Sequence, residues 1–222
     1  MRTVCRPVQF DPENTRRTTL ESCPHMIQNN MKWFLLSLSI FGATAGAPGL
    51  GAAEIGSRVG AFQLTDLSGQ TVSSQSYSGK TVVLVFWSFK CPVSLVYNDR
   101  IETLQSKYGS RDVTVVAISS GPSQKPTEIQ ANASNLKLSL PVLLDPDGDL
   151  AEKLGATHTP SAFVLDTAGV LRYKGALDNN KRPGENDRIS YVEDALDAIL
   201  AGTPVQVSET KPFGCSIRRK GL

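Results

Sequence analysis

From residue 62 onwards, apolar residues follow two patterns along the chain, continuous runs and helical spacing. Residues 81–87 (TVVLVFW) and 113–119 (VTVVAIS) are continuous runs of β-forming residues, which predicts strands buried on both faces of a sheet. Between them, residues 92–108 carry apolar side chains at helical spacing and begin with Pro92, a residue favoured in the first turn of a helix. Strand, helix and strand in this order are typical of a parallel sheet.

The rest of this region predicts further strands, hairpins and helices. They are a hairpin of residues 62–64 with 71–72, a helix over 127–136, a strand over 141–144, a short helix ended by Gly155, a hairpin of 161–166 with 170–175, and a helix over 191–200. The order predicts one α/β domain over residues 54–202, in which parallel strands linked by helices finish in an antiparallel hairpin and a last helix. An irregular tail over residues 203–222 follows.

The N-terminal region has the pattern of an export signal. Met31 and Lys32 precede an apolar run over residues 33–41, and small residues follow as far as Ala53. The run is too short for a membrane span, so we predict a signal peptide over 31–53 and no stable membrane insertion after its cleavage. Residues 1–30 are polar and show no period, which makes 1–53 an N-terminal extension plus signal unless translation starts at Met26 or Met31. The mature protein is then periplasmic or secreted.

Charge and cysteine content exclude several classes of protein. Twenty-three Lys and Arg against 21 Asp and Glu give a net charge of +2, which disfavours a nucleic-acid-binding protein. Four cysteines are too few for a small disulfide-stapled domain but sufficient for redox chemistry. Removal of residues 1–53 would leave Cys91, Cys215 and a single histidine, His158. The acidic residues in DPDGDL (145–150) are expected to form a turn that caps a helix, and we predict neither a metal nor a cofactor.

Cys91 lies where a predicted buried strand becomes a helix. The N-terminus of a helix offers unpaired N–H groups and the positive end of a dipole, and both stabilise a thiolate. Lys90 adds a neighbouring cation. We therefore expect the pKa of Cys91 to lie below that of a free thiol, with an inert buried cysteine as the alternative.

Two segments carry a resemblance to a known family: FWSFKCPVS (86–94), and GATHTP (155–160) with the twenty residues that follow it. Over residues 56–202 the chain resembles the thioredoxin-like superfamily, and more closely its redoxin branch of alkyl hydroperoxide reductase and thiol-specific antioxidant proteins, a peroxiredoxin-like family. The resemblance implies a thioredoxin-like fold, a central mixed β-sheet flanked by helices with an N-terminal β-hairpin. It also implies that Pro160 is a cis-proline beside Cys91. Substrate binding is expected at Pro160, Thr159, Trp87 and Lys90.

The chain departs from this family at the reactive cysteine. Ser94 stands where a dithiol thioredoxin has its second cysteine, so Cys91 cannot close a C-x-x-C disulfide, and Ser94 is expected to donate a hydrogen bond to its thiolate. The P-x-x-x-T-x-x-C pattern of peroxiredoxins is only partly present, because Leu84 replaces the proline and Ser88 the threonine.

Cys215 in the tail is the remaining candidate for a resolving thiol. A mobile tail would let Cys215 swing over Cys91, with Arg218, Arg219 and Lys220 favouring its thiolate. A permanent structural disulfide, or two thiols that never meet, are the alternatives.

The residues and the resemblance together predict an exported oxidoreductase of redoxin type. Cys91 would reduce a peroxide, Cys215 would resolve it, Ser94 would assist, and an external thiol would act as reductant. A thiol–disulfide exchange enzyme acting on envelope proteins, or a non-catalytic thioredoxin-fold binding module, are the alternatives.

Overall fold

The computed structural model of the protein describes residues 51–180 and 188–218. The predicted extension and signal peptide over 1–53 therefore lie almost wholly outside the described residues, as do Arg219 and Lys220 at the end of the tail. Within the described ranges, no helix is both long and apolar enough to cross a membrane.

Strands and helices alternate along the described chain, as the sequence predicts. In chain order they are β1 (Gln63–Asp66), β2 (Thr71–Ser73), β3 (Thr81–Phe86), α1 (Pro92–Val96), α2 (Asn98–Tyr108), β4 (Val113–Ser120), α3 (Pro126–Asn135), β5 (Val142–Asp145), α4 (Asp149–Leu154), β6 (His158–Thr159), β7 (Ser161–Leu165), β8 (Leu171–Gly175), α5 (Tyr191–Leu200) and β9 (Cys215–Ser216). Most boundaries differ from the sequence prediction by one or two residues.

One mixed sheet in the described residues has the strand order β2-β1-β5-β4-β3-β7-β8. β3, β4 and β5 are parallel at its centre, β7 and β8 extend it antiparallel on one side, and the β1–β2 hairpin extends it on the other. Every residue of β3 is buried, which explains its continuous apolar sequence. The predicted α/β class with a mixed sheet and an N-terminal hairpin is confirmed.

The sheet separates two apolar cores, because successive side chains of a strand point to opposite faces. Val83 and Val85 of β3 belong to the core beneath α2 and α5. Leu84 and Phe86 belong to the core beneath α4, where the rings of Phe86 and Phe163 meet edge to face at 5.4 Å. The carboxyl end of β3 is therefore held from both faces before the chain reaches Cys91.

The helix predicted over residues 92–108 is broken at Tyr97, which separates α1 from α2. The buried Tyr97 hydroxyl lies 2.5 Å from both the Asp178 carboxylate and the Asn180 carbonyl, and the guanidinium of Arg100 lies 4.5 Å from the Tyr97 ring centre. Arg100 also forms an ion pair with Asp178 at 2.8 Å. The break at Tyr97 thus coincides with contacts to the segment after β8.

The acidic turn before α4 has its predicted capping role. The carboxylate of Asp145 accepts hydrogen bonds from the N–H groups of Leu150 and Ala151 at 3.2 and 3.0 Å. It thereby satisfies N–H groups of the first turn of α4 that have no partner within the helix.

Candidate active site

Cys91 is the residue that immediately precedes α1, at the end of the loop that follows β3. Its N–H donates to the Ser88 carbonyl at 3.1 Å, and its carbonyl accepts from the Leu95 N–H at 3.1 Å, the first hydrogen bond of the helix. The side chain is 1% exposed, and the protonated thiol donates to the Thr159 carbonyl at 3.2 Å. Both main-chain neighbours and side-chain contacts therefore fix the sulfur beside Thr159.

The Thr159–Pro160 peptide bond is cis, as the resemblance implies. Both residues are buried, and Thr159 belongs to β6, a strand of two residues outside the main sheet. The loop 157–160 thus lies against the reactive cysteine, with its main chain available for pairing.

The tail, which the sequence predicts to be irregular, is docked against the site. β9 pairs antiparallel with β6, placing Cys215 opposite Thr159 and Ser216 opposite His158. The Ile217 N–H donates to the Thr157 carbonyl at 2.9 Å, and the Thr159 hydroxyl donates to the Cys215 carbonyl at 3.4 Å. The tail's main chain thus completes a ladder that the sequence pattern does not reveal, and its predicted swing over Cys91 stays a prediction.

The two thiols meet at Thr159, and both are free. They share a cavity of about 290 Å³, open to solvent, whose lining also includes Lys90, Ser120 and Arg218. The alternative in which Cys91 and Cys215 never approach each other is therefore wrong for the reduced protein.

Hydrogen bonding makes the two thiols unequal. Burial disfavours the Cys91 thiolate, but hydrogen bonds from the Cys215 thiol and from the Ser94 N–H outweigh it and lower the pKa of Cys91 to about 7. The hydrogen bond to Cys91, together with burial and the Cys91 charge, raises the pKa of Cys215 to about 11. The pair therefore carries one negative charge over a wide pH range. Arg218 is not among the causes of the Cys215 shift, and Arg219 and Lys220 lie outside the described residues, so the predicted effect of these basic residues stays a prediction.

Ser94 lies in α1, three residues after Cys91, and its part in catalysis stays a prediction. Its hydroxyl is buried and has no other hydrogen-bond partner among the described residues, and both it and the Ser94 N–H stabilise the Cys91 thiolate. A cysteine at this position would supply a second thiol; the serine supplies only a hydrogen bond.

Lys90 was expected to place a cation beside the Cys91 thiol, and Trp87 to contact substrate, but the contacts of both side chains are with other parts of the protein. The Lys90 ammonium donates to the Ser123 carbonyl at 2.7 Å and pairs with Glu128 of α3 at 3.3 Å, so it is not among the groups that stabilise the Cys91 thiolate. Trp87 is 1% exposed within the core under α2 and α5. Substrate binding by either residue stays a prediction.

Sequence reasoning did not identify the glycines that bring the tail to the site. Gly121 and Gly175 lie on the body of the domain and Gly214 on the tail, all three with positive φ and with main chain so close that a Cβ atom would clash. A glycine in a loop is too common a signal to have indicated such a contact.

Comparisons with known proteins agree with the geometry of this site. The model of the AhpC/TSA family matches residues 55–174. The thioredoxin-like protein YneN of Bacillus subtilis is 31% identical over 112 residues, which cover 50% of this chain and 65% of YneN, just under two thirds of its length.

A second relative bears on the type of chemistry, and a solved structure on the fold. The thiol:disulfide interchange protein DsbE of Tatumella citrea is 31% identical over 137 residues, covering 59% of this chain and 70% of that protein. A crystal structure of a putative DsbE from Chlorobium tepidum superposes with a TM-score of 0.58 at 21% identity, covering 67% of this chain and 99% of that one. The family and these names support an oxidoreductase with a thioredoxin-like fold.

Proposed function

The chain belongs to the AhpC/TSA family, and within it we propose that the protein is a thiol–disulfide exchange oxidoreductase. In this proposal Cys91 attacks the substrate disulfide and Cys215 resolves the mixed disulfide. The observation that carries this proposal is the meeting of two free thiols at Thr159, one with a pKa of about 7 and the other of about 11. Protein disulfides are the proposed substrates, in keeping with the name of the DsbE relative.

The first step is attack by the Cys91 thiolate on one sulfur of the partner's disulfide. A bond forms between that sulfur and Cys91 Sγ, and the partner's other sulfur leaves as a thiolate. At neutral pH the Cys91 thiolate is well populated while Cys215 keeps its proton, so Cys91 is the nucleophile of the pair. Ser94 assists as a hydrogen-bond donor to this thiolate.

The second step follows from the loss of the Cys91 charge. The hydrogen bond to Cys91 and its negative charge are two of the causes that hold the pKa of Cys215 high. Once Cys91 is in a mixed disulfide both are removed, and Cys215 is more readily deprotonated. Its thiolate then attacks Cys91 Sγ, the partner's remaining sulfur leaves, and the Cys91–Cys215 disulfide forms. The partner gains two electrons, and an external thiol reductant returns the pair to its starting state.

Peroxide reduction, the main expectation from the sequence, has less support than exchange. Ser88, which takes the place of the threonine in the peroxiredoxin pattern, bonds with Gln124 at 3.2 Å and accepts from the Lys90 N–H at 3.3 Å. The DsbE relative is named for disulfide interchange. Exchange therefore becomes the proposed function, and peroxide reduction stays an untested prediction.

Location and domain organisation follow the same proposal. An exported protein would meet disulfide-bonded partners in an oxidising compartment. We propose that the signal over residues 31–53 directs the protein there, that residues 54–202 are the catalytic domain, and that the tail from residue 203 supplies the resolving thiol.

The test is the intact mass of the reduced protein after reaction with one equivalent of glutathione disulfide or of hydrogen peroxide. With glutathione disulfide the protein should lose about two mass units, Cys215→Ser should accumulate a glutathione adduct on Cys91, and Cys91→Ser should react no faster than a free thiol. Equal reactivity of Cys91→Ser and the unaltered protein would refute the proposal. Faster loss of two mass units with peroxide than with glutathione disulfide would restore peroxide reduction.

A further inference from the structure

The tail places an extended, cysteine-bearing segment of the protein's own chain against the reactive cysteine. Cys215 lies opposite Thr159 in an antiparallel ladder, and the Thr159 carbonyl is the group to which the Cys91 thiol donates. Any outside peptide that paired with this edge of β6 would need the positions that residues 214–217 occupy, because one strand edge accepts one neighbour at a time.

The tail and the body approach each other closely at three glycines. A Cβ on Gly214 would lie 2.9 Å from the Thr159 carbonyl carbon and nearer still to its oxygen. On Gly175 it would lie 2.8 Å from the Thr210 nitrogen, and on Gly121 it would clash with the Arg218 carbonyl oxygen. All three glycines have φ between +86° and +144°. No L-residue fits at these positions without displacing the tail or the loop it touches.

Anchoring is uneven along the tail. Upstream, the Thr210 N–H donates to the Lys174 carbonyl at 3.1 Å, its hydroxyl accepts from the Ala176 N–H at 3.0 Å, and the Phe213 ring lies 6.2 Å from the Tyr97 ring. Over the site, β9 is only two residues long. Ile217 packs there against the core beneath α4, but Gly214 and Ser216 are exposed. The segment before the site is anchored in addition by the Thr210 hydroxyl and the Phe213 ring.

We propose that residues 214–218 are a built-in competitor for the partner's segment, and that Gly214 is the positioning residue that lets them occupy the edge of β6. This inference rests on the proposed function of the same site. The partner displaces residues 214–218, Cys91 attacks its disulfide, and the tail returns with Cys215 to resolve the mixed disulfide. Residues 208–213 stay in place throughout.

The same geometry defines the partner's segment. A segment that pairs with Thr159 in the register of the tail brings the residue before its cysteine to the place of Gly214, where a Cβ meets the Thr159 carbonyl. The structure thus favours an extended partner segment with glycine directly before the reactive cysteine.

The experiment measures access to Cys91 directly and needs no disulfide substrate. In a Cys215→Ser background, alkylation of Cys91 by iodoacetamide is followed by peptide mass at a pH where its rate no longer rises, so that access rather than ionisation sets the rate. Adding Gly214→Ala or Gly121→Ala should raise this plateau rate by about tenfold or more, because both substitutions disfavour the covered state. Gly202→Ala is the matched control, since Gly202 also has a positive φ but nothing lies within 4 Å of its Cβ position.

Equal plateau rates for Gly214→Ala and Gly202→Ala would overturn the proposal. Hydrogen exchange separates local release from general unfolding: the Ile217 N–H should exchange faster in Gly214→Ala, while the amides of β3 and β4 should keep their protection. Faster exchange throughout the sheet, with the alkylation gain confined to unfolding conditions, would also count against it. Neither measurement involves disulfide exchange, so failure here leaves the glutathione result to decide the function.

Two peptide disulfides test the partner's sequence. They differ only in carrying glycine or alanine before the cysteine, and each reacts with the Cys215→Ser protein, in which the mixed disulfide on Cys91 persists. The glycine peptide should react about tenfold faster. Equal rates would overturn the proposed register of the partner.

Discussion

Cys91 and Cys215 are chemically identical side chains held in opposite ways. Cys91 lies between β3, which is buried in the two apolar cores, and α1, which packs against one of them through Val93. Cys215 belongs to a strand of two residues whose main chain meets the body at glycines. The first thiol has a pKa of about 7 and the second of about 11, with each thiol a cause of the other's shift.

The difference shows how a site can keep its nucleophile fixed while its second thiol moves. Packing of large side chains in a core resists displacement, whereas a short backbone ladder opens at low cost. If this contrast is correct, changes in the buried contacts that hold α1 and α2 should affect the whole fold, and changes at the two thiols and their hydrogen bonds should affect chemistry and access. Three substitutions test it, in order of decreasing expected effect.

Asp178→Ala should cause the largest change, on the Cys91 side. The Asp178 carboxylate is 2% exposed, pairs with Arg100 and bonds the Tyr97 hydroxyl at the break between α1 and α2. Its removal leaves the guanidinium of Arg100 partly buried without that carboxylate, so we expect the free energy of unfolding to fall by about 3–5 kcal/mol. Urea unfolding would measure it.

Asp197→Ala is the control for this loss. Asp197 pairs with Arg111 at 3.3 Å, but both side chains are about half exposed, so the cost should stay below about 1 kcal/mol. Similar losses in the two variants would show that the buried contacts near Tyr97 do not hold the Cys91 side in place.

Cys215→Ala should change the ionisation of Cys91 with little effect on the fold. The thiol of Cys215 donates the hydrogen bond that contributes most to the lowered pKa of Cys91, so the pKa should rise from about 7 towards 9. Cys91 is reactive above its pKa and protonated below it, so alkylation at pH 7 should slow by roughly ten- to fiftyfold. The pH profile of the alkylation rate measures the shift.

Cys215→Ser serves as the matched variant, because its hydroxyl can still donate to the Cys91 sulfur. We expect its profile to lie between those of the unaltered protein and Cys215→Ala. A midpoint near pH 7 in all three would mean that the tail does not tune the nucleophile.

Ser94→Ala should have the smallest effect. The N–H of residue 94 still donates to Cys91 after the substitution, so the pKa of Cys91 should rise by less than in Cys215→Ala. Stability should be unchanged or higher by up to about 1 kcal/mol, because the lost hydroxyl is buried without another partner among the described residues. Thermal melting and the alkylation profile, measured together, check both statements. A drop in stability below pH 7, where Cys91 is protonated, would contradict the prediction.

The predictable part of the molecule is the part that side chains specify. The apolar run of β3 and the position of Cys91 before α1 were evident in the sequence because burial requires long stretches of one residue type. Tyr97 fits the helical spacing of residues 92–108, and nothing local indicates the break that the structure has there, where its hydroxyl contacts Asp178. Long-range contacts of this kind override local propensity.

The tail was the least predictable region for a related reason. Its docking depends on side chains that are absent, at Gly214 and at the glycines of the body, and a missing Cβ leaves no periodic pattern. Lys90 also shows that neighbours in sequence need not be in contact. Its position beside Cys91 in the sequence suggested a cation at the thiol, but its side chain extends to Glu128.

The contact between Phe213 and Tyr97 sets a length scale for resolution. Cys215 follows Phe213 by two residues, so a fully extended chain allows it to move only about 7 Å from that anchor. A thiol tethered so closely reacts with the mixed disulfide intramolecularly, so the rate does not depend on protein concentration. Its effective concentration is far above that of free thiols in solution. The lifetime of the mixed disulfide with a partner is then determined within a single molecule, by the two-residue spacing between Phe213 and Cys215.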